Sequence, residues 1–417
     1  MDLFKKTVVL SLVVASSYAT SLQELVDATL QNNQNLEALK FQNRSLEKNY
    51  QSVQNSYNPS LSVGGSYLQL DGDKRAVQVG QTTVGFVKAS IDLYSGGKNS
   101  ALKKQKKYEY QSGVLAAKNT QKETILQLVT LYFNARTVVE NIKVFQEKAK
   151  TLKAQYERVK TKYELKMTTE DEVLKLQSEY ESNNYTIVEL EYQKEELLQN
   201  LSLLSGKVVD SLEDVKLPTL QNINYKPTEA IESLKYSLQA QQENVAISAA
   251  ATKPQVKLED TYSVYNYDDY NSKVLTDLPD QQNQLLLTIN MKLFDTASSH
   301  KTEAAQLAAL SVSKKLAFAK NQEKINFELA KRKLQTLQKK LSSLKSALAS
   351  ATSVYNAIAI KYENGIVDNV IYLDALSKKV YNEALYKQAL NDYEIAKASY
   401  YLLSGVDFTE VLKKWEH

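Results

Sequence analysis

The feature that most constrains the fold is an unbroken helical seam in the second half of the chain. Between Leu334 and Tyr362 the apolar residues recur at alternating steps of three and four, and no proline interrupts them. The seam consists of Leu334, Leu337, Leu341, Leu344, Leu348, Ala351, Tyr355, Ile358 and Tyr362. This spacing is that of a coiled coil. It stops at Asn364-Gly365 and a new helical pattern starts at Val370, which predicts a long helix, a tight reversal and a return helix.

Composition excludes several classes of protein. The 417 residues carry a net charge of only +4, so no nucleic-acid partner is expected. The chain has no cysteine and two histidines, His300 and His417, which removes disulfides, thiol chemistry and most metal and general-base chemistry. No catalytic constellation is present. The sequence therefore predicts a protein that is not an enzyme and has no cofactor or metal.

The first 19 residues have the pattern of a cleaved signal peptide. Lys5 and Lys6 precede the apolar run Thr7–Ala15, and Ser17-Tyr18-Ala19 supplies small residues at a cleavage site. The apolar run is too short to span a bilayer. The mature chain has no run of about 18 apolar residues, so it could cross a membrane only as strands.

The periodicity changes after an amphipathic helix over 21–57. Four segments alternate with period two, at 60–70, 82–94, 256–267 and 284–294. The second places Val87, Ala89, Ile91 and Leu93 on one face, opposite Lys88, Ser90 and Asp92. Each segment is about as long as a tilted transmembrane strand. The alternative is a water-soluble pair of β-hairpins packed on a helical bundle.

The chain repeats itself. Tyr163-Glu164 recurs 199 positions later as Tyr362-Glu363, and a Leu-Leu-Ser-Gly sequence occurs at 203–206 and at 402–405. A duplicated helix-strand-strand-helix unit is therefore expected. The predicted divisions are a first repeat at 20–206 with a helical hairpin at 98–204, a linker at 207–228, a second repeat at 229–405 with a hairpin at 296–403, and a tail at 406–417.

Four strands cannot close a membrane barrel, because small barrels begin at about eight strands and open edges are not tolerated in lipid. Several copies must pool their strands, and three copies would supply twelve. Each long helix would extend roughly 100 Å. The fold class expected from these patterns is mainly α with transmembrane β.

The signal peptide, the duplicated order, the strand-to-helix turns at 93–97 and 293–295, and the tip sequences Tyr362-Glu363-Asn364-Gly365 and Leu373-Asp374-Ala375 together resemble the TolC-type outer-membrane efflux proteins. The resemblance covers essentially the whole mature chain. It implies a homotrimer with a twelve-stranded barrel among outer-membrane lipids, continuous with a long α-helical coiled-coil barrel in the periplasm. It also implies a periplasmic adaptor (membrane fusion) protein and an inner-membrane transporter of RND, ABC or MFS type as partners.

The resemblance also implies roles for residues at the hairpin turns. An acidic ring at the periplasmic gate would use Asp374, while a second acidic position one turn earlier falls on Ile371 and Asp368 substitutes for it. A tip latch would join Tyr362 to Glu172, with Asp171 beside it, and the arginine of a second link falls on Val367. Adaptor docking would use the two tips, represented by Lys166, Met167, Gly365 and Ile366.

Two functions follow from these patterns. The first is a passive, gated export duct in a tripartite efflux or type I secretion system. The second is a structural or adhesive coiled-coil protein of the cell envelope, which would have no need for two amphipathic strand pairs at duplicate positions.

Overall fold

The computed structural model describes residues 19–55, 58–71, 78–217, 223–406 and 411. The predicted signal peptide, apart from its last residue, and most of the predicted tail lie outside these ranges. The chain divides into two compact units. The sheet unit comprises 39–118 and 229–321, and the tip unit comprises 1–38, 119–228 and 322–417, each within the described ranges.

Helices dominate the chain, and their order repeats. The elements are α1 (Leu22–Asn32), α2 (Gln34–Gln54), β1 (Ser60–Gln69), β2 (Gln81–Ser95), α3 (Lys98–Glu164), α4 (Glu170–Ser205), α5 (Glu229–Ala249), β3 (Gln255–Asp268), β4 (Gln281–Asn290), α6 (Thr296–Glu363) and α7 (Asn369–Leu403). Within the described ranges, no helix is both long enough and apolar enough to cross a membrane. The fold is therefore mainly helical with a small sheet.

The strands form one antiparallel sheet in the order β1-β2-β3-β4, so β1 and β4 are its edges among the described strands. Cross-strand pairs align the apolar positions. Ala89 pairs with Leu61 on one side, and Val87 pairs with Tyr262 on the other. Leu61 keeps 76% of its side chain exposed and Leu285 keeps 69%. The sheet unit thus presents one exposed apolar face.

The opposite face of the sheet is polar, as the alternation in β2 predicts. Lys88 and Lys257 both contact the Glu259 carboxylate, at 2.6 and 3.0 Å. The bulge near the end of β2 alters one predicted position. Tyr94 rather than Leu93 lies opposite Val256, because the register shifts between Asp92 and Tyr94.

The last strand occupies a different range from the predicted 284–294. β4 begins at Gln281 and ends at Asn290, where Asn290 pairs with Gln255, the first residue of β3. A 3₁₀ turn precedes β3 at Ala250–Thr252, so no backbone partner on β3 remains for residues beyond 290. Apolar alternation continues in the sequence to Leu293, but a strand ends where its ladder ends.

The predicted helix over 21–57 is divided at Asn33. Its Oδ1 accepts a hydrogen bond from Leu36 N at 3.0 Å, and its Nδ2 donates to the Leu204 carbonyl at 2.8 Å. Asparagine satisfies the free N–H groups at the start of a helix, so Asn33 ends α1 and starts α2. The same side chain ties this joint to the end of α4.

Two polar clamps hold the segment between the repeats within the tip unit. The buried Glu394 and Lys397 pair at 2.6 Å, and they also bind the Leu217 backbone, Glu394 accepting from its N–H and Lys397 donating to its carbonyl, both at 2.7 Å. Glu323 accepts from the Tyr225 hydroxyl at 2.7 Å and from Thr228 N at 3.0 Å. Each buried charge therefore has its partners.

Candidate functional site

The candidate site is the pair of reversals that join α3 to α4 and α6 to α7, and both have the same backbone. Lys166 N donates to Tyr163 O and Met167 N donates to Lys162 O, each at 2.8 Å. In the second turn, Gly365 N donates to Tyr362 O at 3.1 Å and Ile366 N donates to Lys361 O at 2.8 Å. These paired bonds define a Schellman motif.

The residue after each helix end has a left-handed backbone. Gly365 has φ of 72° and Lys166 has φ of 60°. Glycine adopts this conformation without a steric cost, whereas lysine pays roughly 1 kcal/mol. The lysine of the first tip therefore does not change the turn; it makes the same turn more strained.

The two return helices begin differently. Asp368 is the N-cap of α7, and its Oδ1 accepts a hydrogen bond from Ile371 N at 3.0 Å. Thr169, at the same place before α4, makes no side-chain cap bond. Instead, α4 has Glu170, Asp171 and Glu172 in its first turn, where the helix dipole favours negative charge. Asp368 therefore fixes the start of α7 three residues before Ile371.

Asp374 lies off the buried seam of α7. Its carboxylate accepts a hydrogen bond from Lys378 Nζ at 2.7 Å, and both side chains are largely exposed. Asp171 has a comparable pair with Lys175, at 3.2 Å, and the hydrogen bonds from Thr169 and Lys175 lower the pKa of Asp171. Each candidate carboxylate is therefore paired within its own helix.

Tyr362 is buried among aromatic rings. It stacks on Tyr372 with centroids 4.7 Å apart, and Tyr372 in turn lies 6.0 Å from Tyr355. Burial raises the pKa of Tyr362, and the nearby negative charge of Glu172 raises it further. The Glu172 carboxylate accepts a hydrogen bond from Thr168 Oγ1 at 2.8 Å. The structure thus brings Tyr362 and Glu172 into one neighbourhood.

Two residues of α3 that the sequence did not single out also contact the second turn. Arg158 donates from a guanidinium nitrogen to the Glu363 carbonyl at 3.2 Å, and its guanidinium lies 5.8 Å from the centre of the Tyr362 ring. Gln155 lies beside the Tyr372 hydroxyl. In the sequence, these two residues are distinguished only by lying three positions apart, and many pairs of residues in helices have that spacing.

Both turns expose apolar side chains. Leu165, Met167 and Ile366 keep 66%, 70% and 70% of their side chains exposed. An apolar residue at the tip of a solvated loop has no internal partner to bury it. The two turns therefore offer small apolar surfaces beside the charged residues of the return helices.

Comparisons with known proteins agree with this geometry. The model of the outer membrane efflux protein family matches residues 25–207. The outer-membrane channel CmeC of Campylobacter jejuni is 16% identical, with 94% of this chain and 88% of CmeC covered at a TM-score of 0.82. No curated protein sequence matches the chain at a significant level.

Two further channels share the fold. The outer membrane protein VceC of Vibrio cholerae is 13% identical, with 93% of this chain and 96% of VceC covered at a TM-score of 0.81. The outer-membrane channel MtrE of Neisseria gonorrhoeae, solved in an open state, is 17% identical, with 92% and 89% covered at a TM-score of 0.77.

These findings confirm the resemblance predicted from the sequence, including the mainly helical fold with a small sheet. The matching family model is that of outer membrane efflux proteins, and the solved structures that share the fold are outer-membrane channels. The chain is therefore similar to the outer-membrane efflux proteins, with that family's sequence pattern in its first repeat and the fold of solved outer-membrane channels along almost all of its length.

Proposed function

We propose that three copies of this chain form a passive export duct through the outer membrane, as part of a tripartite efflux or type I secretion system. The observation that supports this most directly is the sheet. It has one exposed apolar face, one polar face, and two edges without partners among the described strands. Such a sheet is stable in lipid only when further strands close it.

Three sheets of four strands would make a twelve-stranded barrel, with Leu61, Val63 and Leu285 facing lipid. These side chains keep 76%, 81% and 69% of their surface exposed, which is costly in water and favourable in a bilayer. Lys88 and Glu259 would face the lumen, where their charges can remain hydrated. The helical hairpins would continue the duct into the periplasm and end at the two turns.

The gate of this duct would be a ring of three Asp374 carboxylates, one from each copy. Because carboxylates brought close together repel one another and attract cations, the ring would favour cations at the narrow mouth. Lys378 lies 2.7 Å from each Asp374 and offsets part of this charge. Asp368 would support the gate by fixing the start of α7.

The tip latch between Tyr362 and Glu172 is the second part of the proposal. Both residues lie in the tip unit, and the charge of Glu172 affects the pKa of Tyr362. If the hydroxyl of Tyr362 holds the closed state, Tyr362→Phe should increase the resting conductance. An unchanged conductance would remove the hydroxyl from the latch.

The exposed apolar side chains at the two turns would be the docking surface for a periplasmic adaptor, which links the duct to an inner-membrane transporter. Leu165, Met167 and Ile366 supply the apolar contacts, while Lys166 adds a charge at the first tip only. Adaptor binding at both turns would spread the inner hairpins and open the duct.

Single-channel recording of the purified protein in a planar bilayer tests the proposal. We expect discrete, cation-selective conductance from a trimer, and we expect Asp374→Asn to lower the cation selectivity. Glu147→Gln is the matched control, because Glu147 is also exposed and paired with a lysine of its own helix but belongs to neither turn. A purified protein that gives no conductance would favour a structural or adhesive role in the envelope.

A further inference from the structure

We propose that Arg158 of α3, with Gln155 beside it, holds the second turn against the first hairpin in the closed tip. This inference rests on the proposed duct, since it assigns the means by which its gate stays shut. It places the positive charge of the latch on the first hairpin, whereas the second hairpin has Val367 where the family resemblance places an arginine.

The first contact closes the end of a helix. Glu363 is the last residue of α6, and its carbonyl has no partner within that helix, as is true of the last four carbonyls of any α-helix. Arg158 donates a hydrogen bond to this carbonyl at 3.2 Å. A cation at a helix C-terminus is also favoured by the helix dipole. Arg158 of α3 therefore supplies a hydrogen-bond donor for a carbonyl at the end of α6.

The second contact involves the aromatic rings under the turn. The Arg158 guanidinium lies 5.8 Å from the centre of the Tyr362 ring, which is within the range of a cation–π interaction. Tyr362 stacks on Tyr372 at 4.7 Å with an angle of 18° between the rings. The cation, the first ring and the second ring thus form a continuous stack from α3 to α7.

Gln155 lies near the other end of this stack. It lies beside the hydroxyl of Tyr372, a residue that is only 1% exposed. Gln155 lies one turn before Arg158 on α3, so the same helix face engages both tyrosines. Lys379 completes the cluster by placing its Nζ 4.9 Å from the centre of the Tyr355 ring.

This arrangement differs from ordinary core packing in a way that can be measured. Leu152 and Val159 also lie in the α3 core beneath the turn, and their apolar contacts stabilise the tip unit as a whole. Arg158 is partly solvated and contacts the turn itself. Its loss should free the turn while leaving the fold and the assembly intact.

The experiment uses the purified full-length protein with Arg158→Met, which keeps the length of the side chain and removes the charge and the donors. Single-channel recording should show a higher resting conductance. Hydrogen exchange of the amides in residues 364–372 should be about 5- to 30-fold faster than in the unaltered protein. Arg158→Lys, which keeps the charge over the ring, should restore part of the protection.

Arg44→Met is the matched control. Arg44 makes a similar contact with Phe41, at 5.7 Å, but within α2 and far along the chain from either turn. It should change neither the conductance nor the exchange of 364–372. If Arg158→Met behaves like this control in the exchange measurement, the latch is wrong, whatever the channel does. If the unaltered protein gives no conductance at all, the proposed duct fails, and exchange still decides whether Arg158 holds the turn.

Discussion

The two hairpin turns have the same backbone conformation and different side chains. The shared backbone shows what the turn requires, and the side chains show how the two tips differ. Both use the same pair of backbone hydrogen bonds and a left-handed residue. The second turn is the better formed, because Gly365 fits its conformation and Asp368 caps the helix that follows. The first turn is held by the acidic start of α4 and carries a strained lysine. The second turn is therefore the less strained of the two copies of this motif.

The largest test of this comparison is to place a branched side chain at the left-handed position. Gly365→Val should destabilise the second turn by about 1–2 kcal/mol, because the space around a Cβ there is open and only the backbone conformation resists it. Hydrogen exchange of the Ile366 amide would measure the loss. Lys166→Val should cost less, since the first turn already bears this strain, and Lys166→Gly should gain about 0.5 kcal/mol. Equal costs at the two turns would contradict the comparison.

A smaller effect is expected from the caps. Asp368→Ala should cost about 1 kcal/mol of local stability, because Ile371 N loses its acceptor. The exchange rate of that amide reports the change directly. Thr169→Ala is the control, and it should change the exchange of the first α4 amides very little, since Thr169 makes no cap bond and its side chain interacts with Asp171 instead. A similar loss in both variants would mean that the caps do not distinguish the tips.

The smallest expected effect concerns Tyr362 and Tyr163, the tyrosines that precede the two turns. Tyr362 is 9% exposed, whereas Tyr163, its counterpart in the first repeat, is 41% exposed. Because burial raises the pKa of Tyr362, its stabilising contribution is complete below the ordinary tyrosine pKa of 10.0 and is lost as the pH rises through the raised value. Tyrosinate absorbance should show a late-titrating component.

That late component should shrink in Tyr362→Phe and persist in Tyr163→Phe. The second turn should also loosen at alkaline pH before the first. If both variants titrate like the unaltered protein, Tyr362 is no more protected from water than Tyr163 and the comparison loses this support.

Much of the fold could be predicted because its signals are local and periodic. The alternation in β2 predicts its two faces, and the seam up to Tyr362 predicts the long helix. The end of β4 could not be predicted, because Asn290 is the last residue only through its partner Gln255 on another strand. Likewise, the break at Asn33 depends on a carbonyl of Leu204, 171 residues away.

The site was predicted only in part. The positions of the turns could be predicted from Gly365 and from the repeat. The role of Asp368 could not, because an aspartate before a helix can be either an N-cap or an uncommitted charge. Arg158 was missed for a different reason. Its acceptor is the backbone carbonyl of Glu363, 205 residues away. Every residue has a backbone carbonyl, so the sequence does not indicate which one accepts this bond.

The clamp at Glu394 and Lys397 has a mechanical consequence for α7. It anchors the helix near its C-terminal end, while roughly 37 Å of helix extends from there to Asn369. If this anchor were its only restraint, the helix would behave as an elastic beam fixed at one end, but Lys387 also pairs with Glu140 at 2.8 Å and Leu376 is buried. Curvature in the range common to long helices, with a radius of ~60–100 Å, would displace its free end by roughly 7–11 Å. A helix of this length bends easily. The free energy needed to move its N-terminal end therefore depends mainly on the contacts that restrain that end.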